Sequence, residues 1–341
     1  MKVLSFGELL LRLAAPSYTR FLQKDSFDAT FCGAEANVAV SLSLFGLESV
    51  FLTKLPENEI GVAAMRSLQY FGVNTDCIVF GDGRMGLYYL EKGASQRPSK
   101  VIYDRKNSAV ALSENADYNW DKLFEGVDWF HFTGITPALS DNLSVICKEA
   151  CMAARKKGIM VSCDLNYRKK LWSTEKAKEV MSSLMKYVDV CIANEEDAEK
   201  VLGISPDDNN VNEARLNKSG YELTAKEICQ KYGCKYVGIT LRESYSASVN
   251  GWSCMLYDRD KSETVFSSKY DIQIIDRVGS GDSFTAGLIY GLINGKSNQE
   301  TVEFAAAASC LKHSVEGDYN RVTVEEVESL IRNGGSGRVQ R

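Results

Sequence analysis

The apolar positions change period along this 341-residue chain. Short runs rich in β-branched and aromatic residues alternate with stretches whose apolar residues recur every three or four positions. The first pattern fits strands and the second amphipathic helices. Strands are predicted over residues 2–6, 50–54, 129–132, 160–164, 188–193 and 236–241. Helices are predicted over 36–44, 60–71, 141–157, about 175–186 and 195–202, with a long one after Gly281. Gly46, Gly72, Gly158 and Gly203 stand at or just past the ends of four of these helices, where a left-handed residue can close the last turn. Strands spaced by helices imply βαβ units and a mostly parallel central sheet, so the fold class is α/β.

Two regions break this rhythm, at about residues 8–31 and 84–106. Both hold alternating, β-prone segments with no crossover helix behind them, such as Leu9-Leu10-Leu11-Arg12-Leu13 and Leu87-Tyr88-Tyr89-Leu90. They are expected to form a small β-sheet that leaves the main sheet and acts as a lid. Residues 205–224 are polar and weakly patterned, which reads as a surface insertion, and the glycine-rich residues 334–341 read as a flexible tail. No linker divides the rest, so residues 1–333 are expected to be a single domain.

Composition adds mainly exclusions. Hydrophobic residues at 45% and charged residues at 25% are the mix of a soluble globular protein. A net charge of −5 gives no electrostatic basis for a nucleic-acid partner, and an anionic substrate would need a local cationic pocket. The ten cysteines are scattered without any CxxC, and His131 and His313 are the only histidines, so zinc-ligand spacing is absent. The cysteines read as reduced core thiols and the histidines as packed structural residues. Glu8 and Arg12 interrupt the first apolar run, against a signal peptide, and no uncharged run is long enough to span a membrane. The expected location is the cytoplasm, with no membrane partner.

The most specific chemistry lies in residues 276–287. Gly279, Ser280 and Gly281 directly precede Asp282, and Asp282 opens a helical pattern carried by Phe284, Leu288 and Leu292. A small-residue loop at a helix start exposes N–H donors that favour an anion. A carboxylate there makes sense if it takes a proton from a hydroxyl while the N–H groups hold the phosphoryl group under attack. The segment therefore points to phosphoryl transfer to an alcohol, for which a water-excluding lid is suited. An ordinary aspartate titrates near ~3.9, so Asp282 is expected to be ionised at neutral pH and to accept the proton only as the O–P bond forms. A second segment, Cys32-Gly33-Ala34-Glu35-Ala36-Asn37, places small residues and an amide at a helix start, where a sugar could approach the backbone. By itself it reads equally well as tight packing.

Taken together, the two segments resemble the signatures of the PfkB, or ribokinase-like, family of carbohydrate kinases. That resemblance implies a ribokinase-like three-layer α/β/α fold with a mostly parallel central sheet and a small β-sheet lid. It implies ATP and Mg²⁺, Asp282 as catalytic base, and Gly279, Ser280 and Gly281 as the anion hole. Arg277 stands where the family usually has a small residue.

Arg105 lies at the end of a proposed lid strand, and Arg168 lies just past a core strand, where ligands bind in open α/β sheets. An arginine so placed can clamp a carboxylate, which points to a sugar acid, although surface positions or internal salt bridges would also account for either residue. Within the family the chain resembles the 2-keto-3-deoxygluconate kinases, through Gly86-Leu87-Tyr88, residues 133–139 and Glu316-Gly317-Asp318. This closer resemblance implies substrate contacts from Gly33, Ala34, Asn37, Tyr88, Tyr103, Arg105, Arg168, Asp282 and Asp318. It implies nucleotide contacts from Asn166, Arg168, Asn194, Thr240, Arg242, Ser246, Gly279 and Gly281, with Arg242 through Ser246 replacing the usual glycines. Asp197 replaces the family's glutamate near Mg²⁺, where a water could bridge the shorter side chain.

The expected reaction is ATP-dependent phosphorylation of 2-keto-3-deoxy-D-gluconate at its terminal 6-hydroxyl. The alternatives are a fructokinase- or ribokinase-type kinase for another small sugar, and a catalytically silent sugar-binding regulator. A homo-oligomer is expected, as a dimer through the lid or a larger assembly.

Overall fold

The structure is a computed structural model that describes residues 1–23, 25–204 and 218–334. Its main sheet has nine strands. Glu48–Leu52, Lys2–Phe6, Trp129–Thr133, Met160–Asp164, Val190–Ala193 and Tyr236–Ser244 lie side by side in that order, and each neighbouring pair is parallel. Val249–Asp258 then turns back antiparallel and pairs with both Glu263–Phe266 and Tyr270–Gln273.

The parallel strands are apolar on both faces because helices cover both. Along Val190–Ala193, Val190 and Ile192 enter one core while Cys191 and Ala193 enter the other. The first core is filled by Phe284 and Leu288 of the Ser280–Ile293 helix and Ala305 of the Asn298–Lys312 helix. The second is filled by Leu143 and Ile146 of the Asp141–Lys156 helix and Met181 of the Thr174–Leu184 helix. Buried parallel strands lose the alternating polar signal for this reason and read as continuous apolar runs. The result is the three-layer α/β/α architecture with a mostly parallel sheet.

A separate four-stranded sheet is built from Asp28–Cys32, Leu10–Ala14, Gly86–Glu91 and Lys100–Asp104, in that order. Its central pair is parallel and sets Arg12 opposite Tyr88, while the next pair sets Tyr88 opposite Tyr103. A third small sheet pairs Lys54–Pro56 with Val79–Gly81.

Several expectations shift. The strand expected at residues 50–54 forms earlier, as Glu48–Leu52, with a second short strand beyond it. The helix expected at 195–202 starts as an α-turn over Glu195–Asp197 and continues as a π-turn over Ala198–Leu202. Most of the supposed insertion at 205–224 lies outside the described residues, but its end belongs to the Lys218–Tyr232 helix, which buries Ala225, Ile228 and Cys229. The tail lies outside the described residues except for Gly334, which caps the last helix.

The ten cysteines are free thiols, and most are buried. His131 and His313 are buried neutral rings, each pushed down to about 3 by burial. Nδ1 of His131 lies 2.9 Å from the Ser162 hydroxyl, and Nδ1 of His313 donates to the Ser309 carbonyl at 2.8 Å. No helix among the described residues is long and apolar enough to cross a membrane.

The Ser280–Ile293 and Asn298–Lys312 helices touch at backbone distance, because a Cβ at Gly287 would lie 2.5 Å from Ala305 Cα. In a free helix Gly→Ala gains about 1 kcal/mol. Here overpacking should win, and Gly287→Ala should destabilise the protein by about 1–3 kcal/mol, read as a lower urea midpoint by circular dichroism. An unchanged or higher midpoint would show that the helices separate without cost.

Candidate active site

A cleft of about 480 Å³ opens where the parallel strands end and the four-stranded sheet overhangs them. This is the edge at which open α/β sheets bind ligands. Its floor is made by two helix starts. Gly33 precedes the Ala34–Leu44 helix, and a Cβ there would sit 2.0 Å from the Glu8 carbonyl, so only glycine fits. Ala34 follows in the cleft wall. Asn37, one turn further on, accepts from the Gly33 N–H at 3.3 Å and donates to Asp282 Oδ2 at 2.7 Å.

Asp282 sits in the first turn of the Ser280–Ile293 helix and is 9% exposed. Gly279 caps that helix in the left-handed region at φ 85°, and a Cβ there would lie 2.1 Å from the Asp318 carbonyl. It has no side chain with which to cap the first-turn N–H groups. Ser280 is buried, and Ser309 Oγ donates to its carbonyl at 2.6 Å, while a Cβ at Gly281 would meet nothing within 4 Å. The loop is therefore held tightly on one side and is open at Gly281. The Ser280 N–H donates to the Arg277 carbonyl at 3.4 Å, so the open space at Gly281 and the positive end of the helix are what favour an anion here.

The four-stranded sheet supplies the opposite wall. Tyr88 donates to Asp318, at 2.8 Å to Oδ1 and 2.7 Å to Oδ2. Its ring centre lies 5.8 Å from that of Tyr103, and the Arg105 guanidinium lies 4.5 Å over the Tyr103 ring. Asp318 also accepts from Arg12. Arg105 has an internal partner, since its Nη1 lies 3.3 Å from the buried carboxylate of Glu8. Arg105 is thus one of the internal salt bridges that the sequence left open, and the cleft does not present it as an isolated cation.

At the far end, Asp164 closes its strand and accepts from the Asn166 N–H at 3.1 Å. Asn166 takes a left-handed φ of 40°, which turns the chain so that Tyr167 and Arg168 also line the cleft. Arg168 Nη1 donates to the Tyr167 carbonyl at 3.0 Å. Asn194 caps the following helix by accepting from the N–H groups of Glu196 and Asp197, at 2.8 and 2.9 Å. Asp197 is buried and accepts from the Tyr167 N–H at 3.0 Å.

Thr240 and Arg242 line the cleft from the Tyr236–Ser244 strand, and the Arg242 guanidinium lies 5.3 Å over the Trp252 ring. The strand runs past residue 241 because Val249–Asp258 pairs with it, setting Arg242 opposite Trp252, so the residues read as a replaced glycine loop are largely strand. Ser246 is in the turn that follows, where its hydroxyl accepts from the N–H groups of Ser248 and Val249, and it does not line the cleft. Arg277 does line it and donates to the Ala247 carbonyl at 3.0 Å.

The electrostatics differ from the expectation for Asp282. Burial pushes its carboxyl up to about 7, partly offset by the Asn37 hydrogen bond, with Asp318 and Glu35 adding to the rise and Arg168 opposing it. Asp164 is likewise held well above the usual carboxylate range by burial and by the nearby charges of Asp197 and Asp282, against Arg168. An aspartate's ordinary value is a poor guide here because both groups have lost most of their water.

Three participants carry no role in the sequence reading. Asp164 was visible only as the last residue of a strand. Glu35 is a buried carboxylate that accepts from Thr133 N at 3.0 Å, Thr133 Oγ1 at 2.7 Å and Thr136 Oγ1 at 2.6 Å, tying the first helix to a core strand. Arg12 is a buried arginine in the overhanging sheet. An arginine at an inward position of a strand is a local signal, but its partners are not local.

A fold with this strand order and a helix-capped anion site facing a buried aspartate defines a sugar kinase of the ribokinase type. The model for the pfkB family of carbohydrate kinases matches residues 1–227 and 251–324, and the chain belongs to that family. It is a phosphotransferase with an alcohol group as acceptor. It is similar in structure to a 2-dehydro-3-deoxygluconokinase from Thermotoga maritima, with a TM-score of 0.94 and 52% identity over 98% of this chain and 100% of that one. It is 32% identical to a 2-dehydro-3-deoxygalactonokinase of Haloferax volcanii, covering 98% of both chains. It is 25% identical to a 2-dehydro-3-deoxygluconokinase of Bacillus subtilis, covering 96% of this chain and 94% of that one.

The raised Asp282 value has a consequence for stability. With a folded value near 7 against about 3.9 unfolded, the folded state holds the extra proton between those pH values. Unfolding stability from this group therefore falls as pH rises from 4 to 7 and stays low above 7. Asp282→Asn should raise the unfolding free energy at pH 8 by on the order of 2 kcal/mol, with the gain vanishing toward pH 4. A gain that is absent at pH 8, or equal at both values, would contradict the raised value.

Proposed function

We propose that the protein transfers the γ-phosphoryl group of ATP to the terminal 6-hydroxyl of 2-keto-3-deoxy-D-gluconate. The observation that carries this is the buried Asp282, held by Asn37 at 2.7 Å and set one residue past the open backbone of Gly281. The substrate class follows from the relatives named for 2-dehydro-3-deoxy sugar acids and from Arg168 in the cleft wall. In this reading the acid lies under Tyr88 and Tyr103 with its carboxylate toward Arg168. Its hydroxymethyl group reaches Asp282, beside Gly33 and Asn37. Arg105, paired with Glu8, shapes the pocket more than it charges it.

Asp282 orients the hydroxyl and accepts its proton as the O–P bond forms. The backbone around Gly279, Ser280 and Gly281, open at Gly281 and at the positive end of the helix, faces the phosphoryl group, and its preorganisation stabilises the charge that develops there. Asn166, Asn194, Thr240 and Arg242 form the nucleotide side of the same cleft.

Asp164, Asp197, Asn166 and Asn194 offer only hard oxygen donors, which suits Mg²⁺. Among the described residues no three His, Cys, Asp or Glu side chains cluster as a metal site of their own, which fits an ion held by one or two carboxylates together with water and substrate phosphates. When bound, Mg²⁺ would neutralise charge on the nucleotide phosphates.

Asp282→Asn should bind the keto acid but lose turnover by about 100- to 10,000-fold, measured by coupled ADP release. Near wild-type turnover would remove Asp282 as the base. In the wild type, kcat/KM for the keto acid should fall tenfold per unit as pH drops below about 7, because a protonated Asp282 cannot accept the hydroxyl proton. A flat profile from pH 6 to 8 would contradict this.

Arg168→Leu should raise KM for the keto acid by about 10- to 100-fold and cost the residual turnover of neutral hexoses far less. Equal losses on both would make Arg168 a structural or nucleotide residue. In the same assay, 2-keto-3-deoxygalactonate tests stereochemistry and fructose or ribose tests the neutral-sugar reading. Binding of the acid with no ADP release would instead support a regulator.

A further inference from the structure

Arg12 belongs to the Leu10–Ala14 strand of the overhanging sheet and is only 2% exposed. Leu10, Arg12 and Ala14 all point inward, as the two-residue period of a strand requires. The guanidinium forks between two buried carboxylates. Its Nη2 donates to Asp276 Oδ2 at 2.6 Å, and its Nη1 donates to Asp318 Oδ1. Tyr88, the cross-strand neighbour of Arg12, donates to the same Asp318.

Both carboxylates connect directly to the anion loop. Asp276 Oδ1 accepts from the Val278 N–H at 3.1 Å, which folds the chain into the loop, and its Oδ2 also accepts from the Gly317 N–H at 3.2 Å. The Asp318 carbonyl presses on Gly279 so closely that no Cβ fits there. One side chain therefore bridges the sheet that covers the acceptor and the loop that faces the phosphoryl group, across more than 260 residues of sequence. A buried ion cluster is not needed for stability as such, since apolar side chains of the same volume often serve as well. A two-pronged, planar donor supplies fixed geometry.

We propose that Arg12 is a positioning residue for phosphoryl transfer. It locks the overhanging sheet to residues 276–281, so that acceptor cover and anion loop share one alignment. Arg12 lines no part of the substrate cleft and acts through Asp276 and Asp318. Without it, the sheet and the loop can shift relative to each other. Water then reaches the phosphoryl group in place of the sugar hydroxyl, and ADP and inorganic phosphate form without sugar phosphate.

The inference rests on the kinase reading, and the full-length protein separates the two. ADP and sugar phosphate are both quantified with ATP and 2-keto-3-deoxygluconate for wild type, Arg12→Met and Arg12→Lys. Arg12→Met should lose about 100-fold in kcat, as expected of a misalignment on the ångström scale. Its KM for ATP should stay within about threefold of wild type, because uniform binding is untouched. Its ratio of ADP to sugar phosphate should rise above the wild-type value of one, which a smaller folded fraction could not produce.

Arg12→Lys keeps the charge but not the fork and should lose about 10-fold in kcat, so it decides the matter should Arg12→Met fail to fold. A folded Arg12→Lys with wild-type kcat and a ratio of one overturns the proposal. So does an Arg12→Met whose loss lies entirely in KM for ATP. Wild-type protein that releases no ADP with any keto acid overturns the kinase reading itself.

Discussion

The hydrogen bond between Asn37 and Asp282 joins two helix starts, and the rest of the cleft is arranged around it. One helix approaches from the N-terminal third of the chain and the other from the C-terminal third. Each can come close only because a glycine precedes it. Gly33 lies against the Glu8 carbonyl and Gly279 against the Asp318 carbonyl, at distances that exclude any side chain. The contact does chemical work as well. It leaves one Asp282 oxygen engaged at a fixed angle, and it opposes the burial that would otherwise protonate the group further.

That burial sets up the charge balance of the site. Glu8, Glu35, Asp164, Asp197, Asp282 and Asp318 are all buried around one cleft. Like charges this close, with little water, drive one another toward protonation unless each finds a partner. The structure solves this differently at each position. Asp318 takes Arg12 and Tyr88, Glu8 takes Arg105, and Glu35 takes two threonines and a backbone N–H. Burial still raises Glu8 and Glu35, as it raises Asp164 and Asp282. Asp164 and Asp282 also lie where an incoming hydroxyl and a hydrated cation would be placed.

Much of this fold was legible in the sequence, for a physical reason. Strands buried on both faces, such as Val190–Ala193, must be apolar throughout, and the helices between them end at glycines that can turn left-handed. The two signatures stood out because their small residues answer local needs, a close backbone approach and an open helix start. What was lost depended on distant partners. The Lys218–Tyr232 helix buries only a narrow stripe, so its polar surface read as an insertion. The extension of the Tyr236–Ser244 strand depends on a hairpin partner that the apolar pattern did not reveal. The raised Asp282 value and the Arg12 fork depend wholly on groups brought together by the fold, and no spacing in the sequence encodes them.

The paired state of Arg105 changes how acid recognition can work. With Glu8 as its partner, Arg105 brings little net charge to the cleft. A substrate carboxylate arriving near Asp164 and Asp282 would add a further negative charge to two groups that already resist ionisation. Arg168 is the cation whose field lowers both of them. A carboxylate bound to Arg168 would offset that field and raise Asp282 further, away from the form that accepts a proton. Binding the acid and readying the base therefore compete for one guanidinium. The Asn37 hydrogen bond and the positive end of the Ser280–Ile293 helix are what remain to favour ionised Asp282.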